Sequence, residues 1–525
     1  MAACLPLSAY DALPRIPIVL THHLLQQYMQ CAAALFAEIE ATRARLASLE
    51  QEHQTVSSVI SDAKAQLNSA GVNRLPTELI SKIFELVSAE QDGAIIWLSH
   101  VCRDWRATAF ASPRAWSKLL ADLSAPANTP TAERALAYLE RSGACPLDIR
   151  LVTTTGQLSN PSNGLAIALH KSLPRWRSFS LVSSSSGVYS EFVKSLSGQA
   201  SSLEELNLVF QSDSSRAHGD QPRLPSNFSV QAPSLRFLRL DGVGINLEWA
   251  STLHQLETLE LVQHQGSSLA YDALLRVLST CAQSLRTVSI RARVSDVPRL
   301  AVGSERTPVL FPRLETLDLA LHTSPVSSLL ADFEAPNLRS LSLQDTRIPS
   351  DRWCSLGIRS FLREPASQLR HLRLCQSGLD DDDLLWMLKR IPKLESLEML
   401  GSTNTDAVLR SLARPLPANV QTQAESWMVP ALNSLTVEQC HQITGSALVD
   451  SIKARNTCAV DSSTHIPIRH LRVRNCYQFE RRHSVKLNKL SPALQLDAEV
   501  VSFSFGLQGM RARSPFENTL GVPPS

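Results

Sequence analysis

The chain has no run approaching the roughly 20 consecutive apolar residues that span a bilayer, and its net charge is only +2 across 525 residues. The first absence argues against a transmembrane helix. The second removes any general electrostatic reason to expect nucleic acid or an anionic membrane as a partner. Ten cysteines contain no Cys-x-x-Cys pair and no regular spacing, which points away from zinc and from a disulfide framework. Several of them fall in apolar repeat positions, where cysteine serves as a small buried side chain. A reducing cytoplasm or nucleus is the expected setting. The opening stretch MAACLPLSAYDALPRIPIVL lacks a basic region followed by a long apolar core, so it does not read as a signal peptide. There is no G-x-S-x-G, H-E-x-x-H or phosphate-binding loop and the histidines are scattered. The chain therefore reads as catalytically inert, with no cofactor.

Proline and glycine are also missing from Thr21 to Leu67, where Ala, Leu, Gln, Glu and Arg are frequent. These are good helix formers. Alternating steps of three and four run through Ala32, Leu35, Ile39, Thr42, Leu46, Leu49, His53, Val56, Ile60, Ala63 and Leu67. Thr42, His53 and the small Ala32 are the weak positions of a coiled-coil-like seam. Two readings stay open. Residues 21–68 form a homodimer, or they form a long amphipathic helix packed back on the next domain. Asn68-Ser69-Ala70-Gly71 ends the helix with small residues and a glycine.

The next stretch, Asn73 to Trp116, concentrates large apolar side chains. Pro76 suits a helix start and Glu78 favours the same end through the helix dipole. Leu79, Ile83 and Val87 recur at i, i+4 and i+8, with Phe84 beside them, a one-sided apolar stripe. A second apolar helix is expected from Ile95 to Cys102, running on into Arg103-Asp104-Trp105-Arg106. Some 45 residues bury only a modest core, yet these carry three tryptophans, so part of this surface should face a partner.

LPTELISKIFELV followed by LSHVCRDWRATAFASPRAW resembles an F-box: the Leu75-Pro76 opening, the Ile83-Phe84 pair, the Val101-Cys102-x-x-Trp105 centre and the Pro113-x-x-Trp116 end. The likeness covers residues 73 to about 120. It is similar in particular to the F-box proteins of mushroom-forming fungi, which often place a long helix ahead of the box. The resemblance implies binding to a Skp-type adaptor and, through it, to a cullin–RING ubiquitin ligase. Leu75, Pro76, Ile83 and Phe84 would lie on the adaptor-facing surface, with Val101, Cys102 and Trp105 supporting or completing it.

Beyond residues 121–131, which read as a linker, an L-x-x-L-x-L pattern recurs. Its members include Leu203/Leu206/Leu208, Leu235/Leu238/Leu240, Leu256/Leu259/Leu261, Leu285/Val288/Ile290 and Leu314/Leu317/Leu319. It continues through Leu338/Leu341/Leu343, Leu369/Leu372/Leu374, Leu394/Leu397/Met399, Leu432/Leu435/Val437 and Ile468/Leu471/Val473. Trp176/Phe179/Leu181 is an earlier member, and Pro146 to Leu151 a candidate first strand. Start-to-start spacings run from 21 to 38. The alternation predicts short strands with one buried face, stacked so that each repeat covers its neighbour in a solenoid. The eighth position after the first Leu holds Thr346, Ser377, Ser402, Cys440 or Cys476, small groups able to satisfy backbone in a turn. The segment from Leu432 to Ile452 resembles the cysteine-containing leucine-rich repeats that commonly accompany F-boxes.

Residues 183–187, 211–227 and 413–430 are polar or proline-bearing and read as mobile loops, and the tail beyond about Val501 as a cap and disorder. Asp380 to Asp383 begins a repeat helix, where acidic residues favour the N-terminus; no metal is expected. Side chains flanking the second and third apolar positions should line one face. They include Glu205, Asn207, Phe237, Arg239, Glu260, Arg291, Asp318, Glu398 and Glu438. The candidate substrate-binding set on that face is His371, Arg373, His470, Arg472 and Arg474, the last strand being the most basic.

The expected architecture is α+β and multidomain: a flexible N-terminus (1–20), a long helix (21–70), a three-helix F-box (72–120), the linker, a leucine-rich-repeat solenoid (132–500) and a terminal tail (501–525). The expected role is the substrate receptor of an SCF-type ligase, non-catalytic itself, with an unknown protein substrate. The rival is an interaction scaffold that binds the adaptor without promoting ubiquitination.

Overall fold

The computed structural model describes residues 18–70, 75–123, 131–153, 163–185, 189, 192–193, 198–211, 230–243, 253–263, 268–295, 308–321, 326–345, 353–362, 368–416, 426–461, 465–490 and 494–499. The expected N-terminal flexible segment up to 17, residues 124–130 of the expected linker, residues 186–187, 212–227 and 417–425 of the three loops, Thr346 and the tail from 500 lie outside them. A single helix, α1 (Ile18–Ala70), spans 53 residues, as the absence of helix breakers predicts. None of the described helices is long and apolar enough to cross a membrane.

After α1 come three short helices, α2 (Thr77–Glu90), α3 (Ala94–Leu98) and α4 (Arg103–Phe110), and a 3-10 turn, Pro113–Trp116. The chain then enters a parallel sheet of 14 strands whose spatial order is the chain order. Its strands are β1 (Lys118–Asp122), β2 (Leu147–Thr153), β3 (Trp176–Ser183), β4 (Glu205–Phe210), β5 (Phe237–Asp241), β6 (Thr258–Val262) and β7 (Thr287–Ala292). They continue as β8 (Thr316–Leu321), β9 (Ser340–Asp345), β10 (His371–Cys375), β11 (Ser396–Leu400), β12 (Ser434–Glu438), β13 (His470–Arg474) and β14 (Gln495–Ala498). Helices stand between many of them: α5 (Thr131–Arg141), α6 (Asn163–Ser172), α7 (Tyr271–Cys281), α8 (Val326–Ala331), α9 (Trp353–Phe361), α10 (Asp381–Lys389), α11 (Asp406–Leu412), α12 (Gly445–Asp461) and α13 (Arg481–Leu490).

Register explains the L-x-x-L-x-L spacing. The second apolar positions pair strand to strand, for example Leu317 with Leu341, Leu372 with Leu397 and Leu435 with Leu471. The third pair likewise, Leu319 with Leu343 and Leu374 with Met399. Both rows are buried, because alternate residues of a strand share a face. The first leucine ends a tight turn: the N–H groups of Leu235, Leu394 and Leu432 donate to carbonyls three residues back. All eleven motif members occupy strands of this sheet, which β1, β2 and β14 extend. The expected linker boundary is therefore moved. Residues 118–122 form the sheet's first strand, paired with β2, and Leu119 and Ala121 are buried in the same apolar cluster as Phe84 and Trp116 of the helical module.

The turn after each of the later strands is also repetitive. Gln376, Gly401, Gln439 and Asn475 follow β10 to β13 at positive φ, a conformation that glycine and asparagine adopt most readily. The N–H of Gln376 donates to Leu400 O (2.7 Å) and that of Gly401 to Glu438 O (2.7 Å), so the ladder runs one residue past the strands. The expected small groups come next. Ser377, Ser402, Cys440 and Cys476 are all buried. Cys440 Sγ sits 3.4 Å from Met399 O on the preceding strand. Burial pushes the Cys440 and Cys281 thiols up to about 12, which leaves them inert at neutral pH.

The aspartate run is a capping device. Asp380 caps α10 by accepting from the N–H of Asp383 (2.8 Å), and Asp383 pairs with Arg359 of α9 (2.8 Å). Asp381 accepts from Asn404 Nδ2 (3.1 Å), from the N–H of Thr405 (2.9 Å) and from the Thr405 hydroxyl. Asp406 does the same for Thr444, at 2.7 Å and 2.8 Å. An acid at the first position of one repeat helix thus holds the N-cap of the next, where unpaired N–H groups cluster. Among the described residues no group of three or more His, Cys, Asp or Glu is placed to hold a metal.

The ends of the 413–430 loop are fixed by a buried arginine. Arg455 of α12 is 1% exposed. It donates to Leu412 O (3.0 Å), Val429 O (2.7 Å) and Ile466 O (3.4 Å). Trp427 covers the guanidinium (5.4 Å) and stacks on His465 (3.7 Å), whose Nε2 lies 2.9 Å from Arg455 O. Burial lowers the Arg455 pKa to about 10, so it remains charged at neutral pH, held by carbonyl dipoles rather than a carboxylate. Arg455→Met would leave those carbonyls without a donor, each a cost of about 1–3 kcal/mol. We expect its urea midpoint, followed by circular dichroism, to fall clearly below that of the native chain. An unchanged midpoint would mean that the guanidinium holds nothing.

Candidate functional site

The helical module has two apolar faces. On α2 the residues Ile80, Phe84 and Ser88 are buried at i, i+4 and i+8. On the opposite side Leu79 (53% exposed), Ile83 (43%) and Leu86 (56%) lie at i, i+4 and i+7, also a single stripe on a 3.6-residue helix. Pro76 precedes them, exposed, and its carbonyl accepts from the N–H groups of Leu79 (3.0 Å) and Ile80 (3.2 Å) to start the helix. Leu75 is half-buried against the core.

The rest of the module follows from a few local contacts. Gly93, at φ 74°, turns the chain into α3, which buries Ala94 and Ile95 and leaves Trp97 70% exposed. The expected second helix is interrupted: α3 stops at Leu98, and residues 99–101 form a turn that exposes Val101. Arg106 Nε donates to Ser99 O (3.0 Å) across that turn. Cys102 then caps α4, its Sγ accepting from the N–H of Trp105 at 3.4 Å. Trp105, half-buried, meets the Phe84 ring edge-on at 5.2 Å. Ser81 and Ser112 share a 2.7 Å hydrogen bond that ties α2 to the end of α4. Trp116 is buried, with its Nε1 donating to Ala109 O (2.7 Å) and Arg141 of α5 over its ring and that of Phe110 (4.6 Å each).

The sequence-predicted residues thus divide. Pro76, Ile83 and Val101 are exposed, Leu75, Cys102 and Trp105 are half-buried, and Phe84 is wholly buried. Placing Phe84 on the outer surface is corrected: it sits in the core because Trp105 and the Ile80 row enclose it. Leu79, Leu86 and Trp97 were missed as surface groups. Hydrophobicity alone marks both faces of α2 as apolar and does not say which one turns inward.

On the exposed face of the sheet the predicted polar side chains form a charge ladder. Arg239 pairs with Asp241 (3.0 Å) and Glu260 (3.6 Å), Arg291 with Asp318 (3.0 Å), and Arg373 with Glu398 (3.6 Å). Arg472 (2.9 Å) and Arg474 (3.0 Å) converge on Asp497 of β14. Asp497 was outside the recognised repeats, and it offsets the positive charge predicted there. His371 with Arg373 on β10, and His470 with Arg472 and Arg474 on β13, are separated by β11 and β12. At about 4.8 Å per strand this is roughly 14 Å, so the structure does not bring the five residues into one site.

The two faces of α2 predict opposite phenotypes. Phe84→Ala removes a fully buried ring and is expected to cost about 3–5 kcal/mol, lowering the thermal midpoint of the helical module. Ile83→Ala removes an exposed side chain and should change stability by less than about 0.5 kcal/mol. Equal losses in thermal scans of the two variants would contradict the assignment of faces.

The chain matches the family described as "F-box domain" over residues 72–111. No curated protein matches it. Among solved structures it is similar to "Crystal structure of Rad7 and Elc1 complex in yeast", at 13% identity and a TM-score of 0.38, covering 85% of this chain and 97% of that one. Residues 72–111 match an F-box domain; of these, the described residues from 75 onward form short helices around Phe84 and Trp105, at the head of a long parallel-sheet repeat array.

Proposed function

We propose that this chain is the substrate-receptor subunit of an SCF-type cullin–RING ubiquitin ligase. Its F-box docks a Skp-type adaptor, and its array, which we assign as a leucine-rich-repeat solenoid, holds a protein substrate on the exposed strand face. The carrying observation is the exposed Leu79/Ile83/Leu86 stripe on a domain whose other face is already filled by Ile80 and Phe84. Apolar groups left outside a satisfied core are a cost in water and mark a surface meant for a partner. Pro76, Trp97 and Val101 extend the exposed apolar surface. Cys102 and Trp105 hold the chain that presents it.

The chain's own part in such an assembly is geometric. One apolar cluster runs from Phe84 and Trp116 through β1 into the leucine rows, so adaptor face and strand face belong to one packed body. The receptor then supplies proximity to an active site on another subunit. His371, Arg373, His470, Arg472 and Arg474 are the strand-face candidates for the substrate, and each arginine among them brings an acidic neighbour that the substrate would have to displace or include.

The test is affinity capture with tagged full-length chain beside Leu79→Ala/Ile83→Ala/Leu86→Ala. We expect adaptor and cullin recovery to drop at least about tenfold, which corresponds to about 1.4 kcal/mol, with the circular dichroism of the chain unchanged. Undiminished adaptor recovery from the folded triple variant would overturn the proposal. Turnover of a captured partner that depends on the same three residues separates a receptor from a scaffold.

A further inference from the structure

Over its described side chains, α1 has no neighbour for its apolar side. Every side chain described between Met29 and Ala63 is exposed, including Leu35, Ile39, Leu46, Leu49, Val56 and Ile60. Packing back on the next domain, one of the two readings open at the sequence level, would have buried that row. Six large apolar groups on a three-four spacing, interrupted at Thr42 and His53, on a helix of 53 residues form a seam, not scattered surface hydrophobics.

The charges beside the seam say what covers it. With Ile39, Leu46, His53 and Ile60 at heptad a and Leu35, Thr42, Leu49 and Val56 at d, positions g are Glu38, Arg45 and Glu52 and positions e are Arg43, Glu50 and Ser57. In a parallel pair each g residue faces the e residue five further along on the other helix. Glu38 then meets Arg43, and Arg45 meets Glu50, twice each by symmetry. The pattern is complementary to itself, as a contact between identical helices requires. Isoleucine at two of the four a positions and leucine at two of the four d positions fit the pattern that favours two parallel strands. Arg43 pairs at present with Glu40 of its own helix (2.8 Å, both exposed), a contact weak enough to be exchanged.

We infer that α1 pairs with the α1 of a second copy of this chain as a parallel, in-register two-stranded coiled coil. The assembly then presents two F-boxes and two arrays, joined at the helix that leads directly into each box. This stands apart from the adaptor reading and is tested without it.

The experiment is sedimentation of the full chain at micromolar concentration, beside three variants. The native chain is expected at about twice its 57.7 kDa mass. Leu46→Asp/Leu49→Asp is expected as a monomer whose array keeps the thermal midpoint of the native chain. Arg45→Glu alone places like charges at Arg45 and Glu50 and should weaken the dimer at least tenfold, and Arg45→Glu/Glu50→Arg should restore it. A native chain that sediments as a monomer overturns the inference. So does dimerisation unaffected by Leu46→Asp/Leu49→Asp, which would place the contact elsewhere. Failure of the charge exchange to restore the dimer overturns the parallel arrangement, since antiparallel helices set g beside g and e beside e.

Discussion

The described sheet depends on one constraint: two alternating apolar rows must be buried at the same height in strand after strand, with only the last edge strand, β14, leaving its row half-covered. A lone strand of five residues cannot bury such a face, and each repeat does so only against the next. Register is therefore enforced from β3 onward, since a slip of one residue would turn Leu372 and Leu374 outward and Arg373 into the core. The tight turn at the first leucine, the left-handed residue after the strand and the aspartate that holds the next helix cap are local devices serving that register. They satisfy the backbone groups that the loops between strands would otherwise strand in the interior.

The same constraint explains how the F-box is attached. A parallel sheet needs its first strand covered, and β1 comes directly from the 3-10 turn that ends the box. Trp116, stacked beside Phe110 and met edge-on by Tyr138 of α5 (5.0 Å), closes the junction, with Arg141 over its ring. Box and array share one core rather than meeting through a tether. The exposed apolar stripe of Leu79, Ile83 and Leu86 is thus borne on a helix whose other face belongs to the same apolar cluster as the sheet.

Much of this was legible beforehand because it rests on spacing. The eleven repeat motifs mark eleven strands, and the stretch without proline or glycine marks α1, because period and backbone chemistry are written residue by residue. What could not be read was partnership. The α2 stripe includes Phe84 and Ile83 side by side, and only packing against Trp105 sends one inward and leaves the other out. Asp497 escaped notice because β14 is a short edge strand without the leading leucine, yet it takes both Arg472 and Arg474. Arg455 gave no signal at all: an arginine in a helix is ordinarily solvated, and its burial depends on carbonyls from three separate segments meeting at one point.

The amino-acid sequence by itself determined the order of parts, the strand positions, the turn residues and the family of the helical module. Those features depend on neighbours within about ten residues, where periodicity, caps and glycine or proline act directly. Tertiary structure alone decided which apolar face of α2 is left exposed, that the box and the array share a core, that the basic candidates on β10 and β13 stand in separate places, and that the described side chains of α1 lie uncovered. Each of those is a question of what meets what across tens or hundreds of residues, and a side chain's burial is fixed only when its distant neighbours have taken their positions.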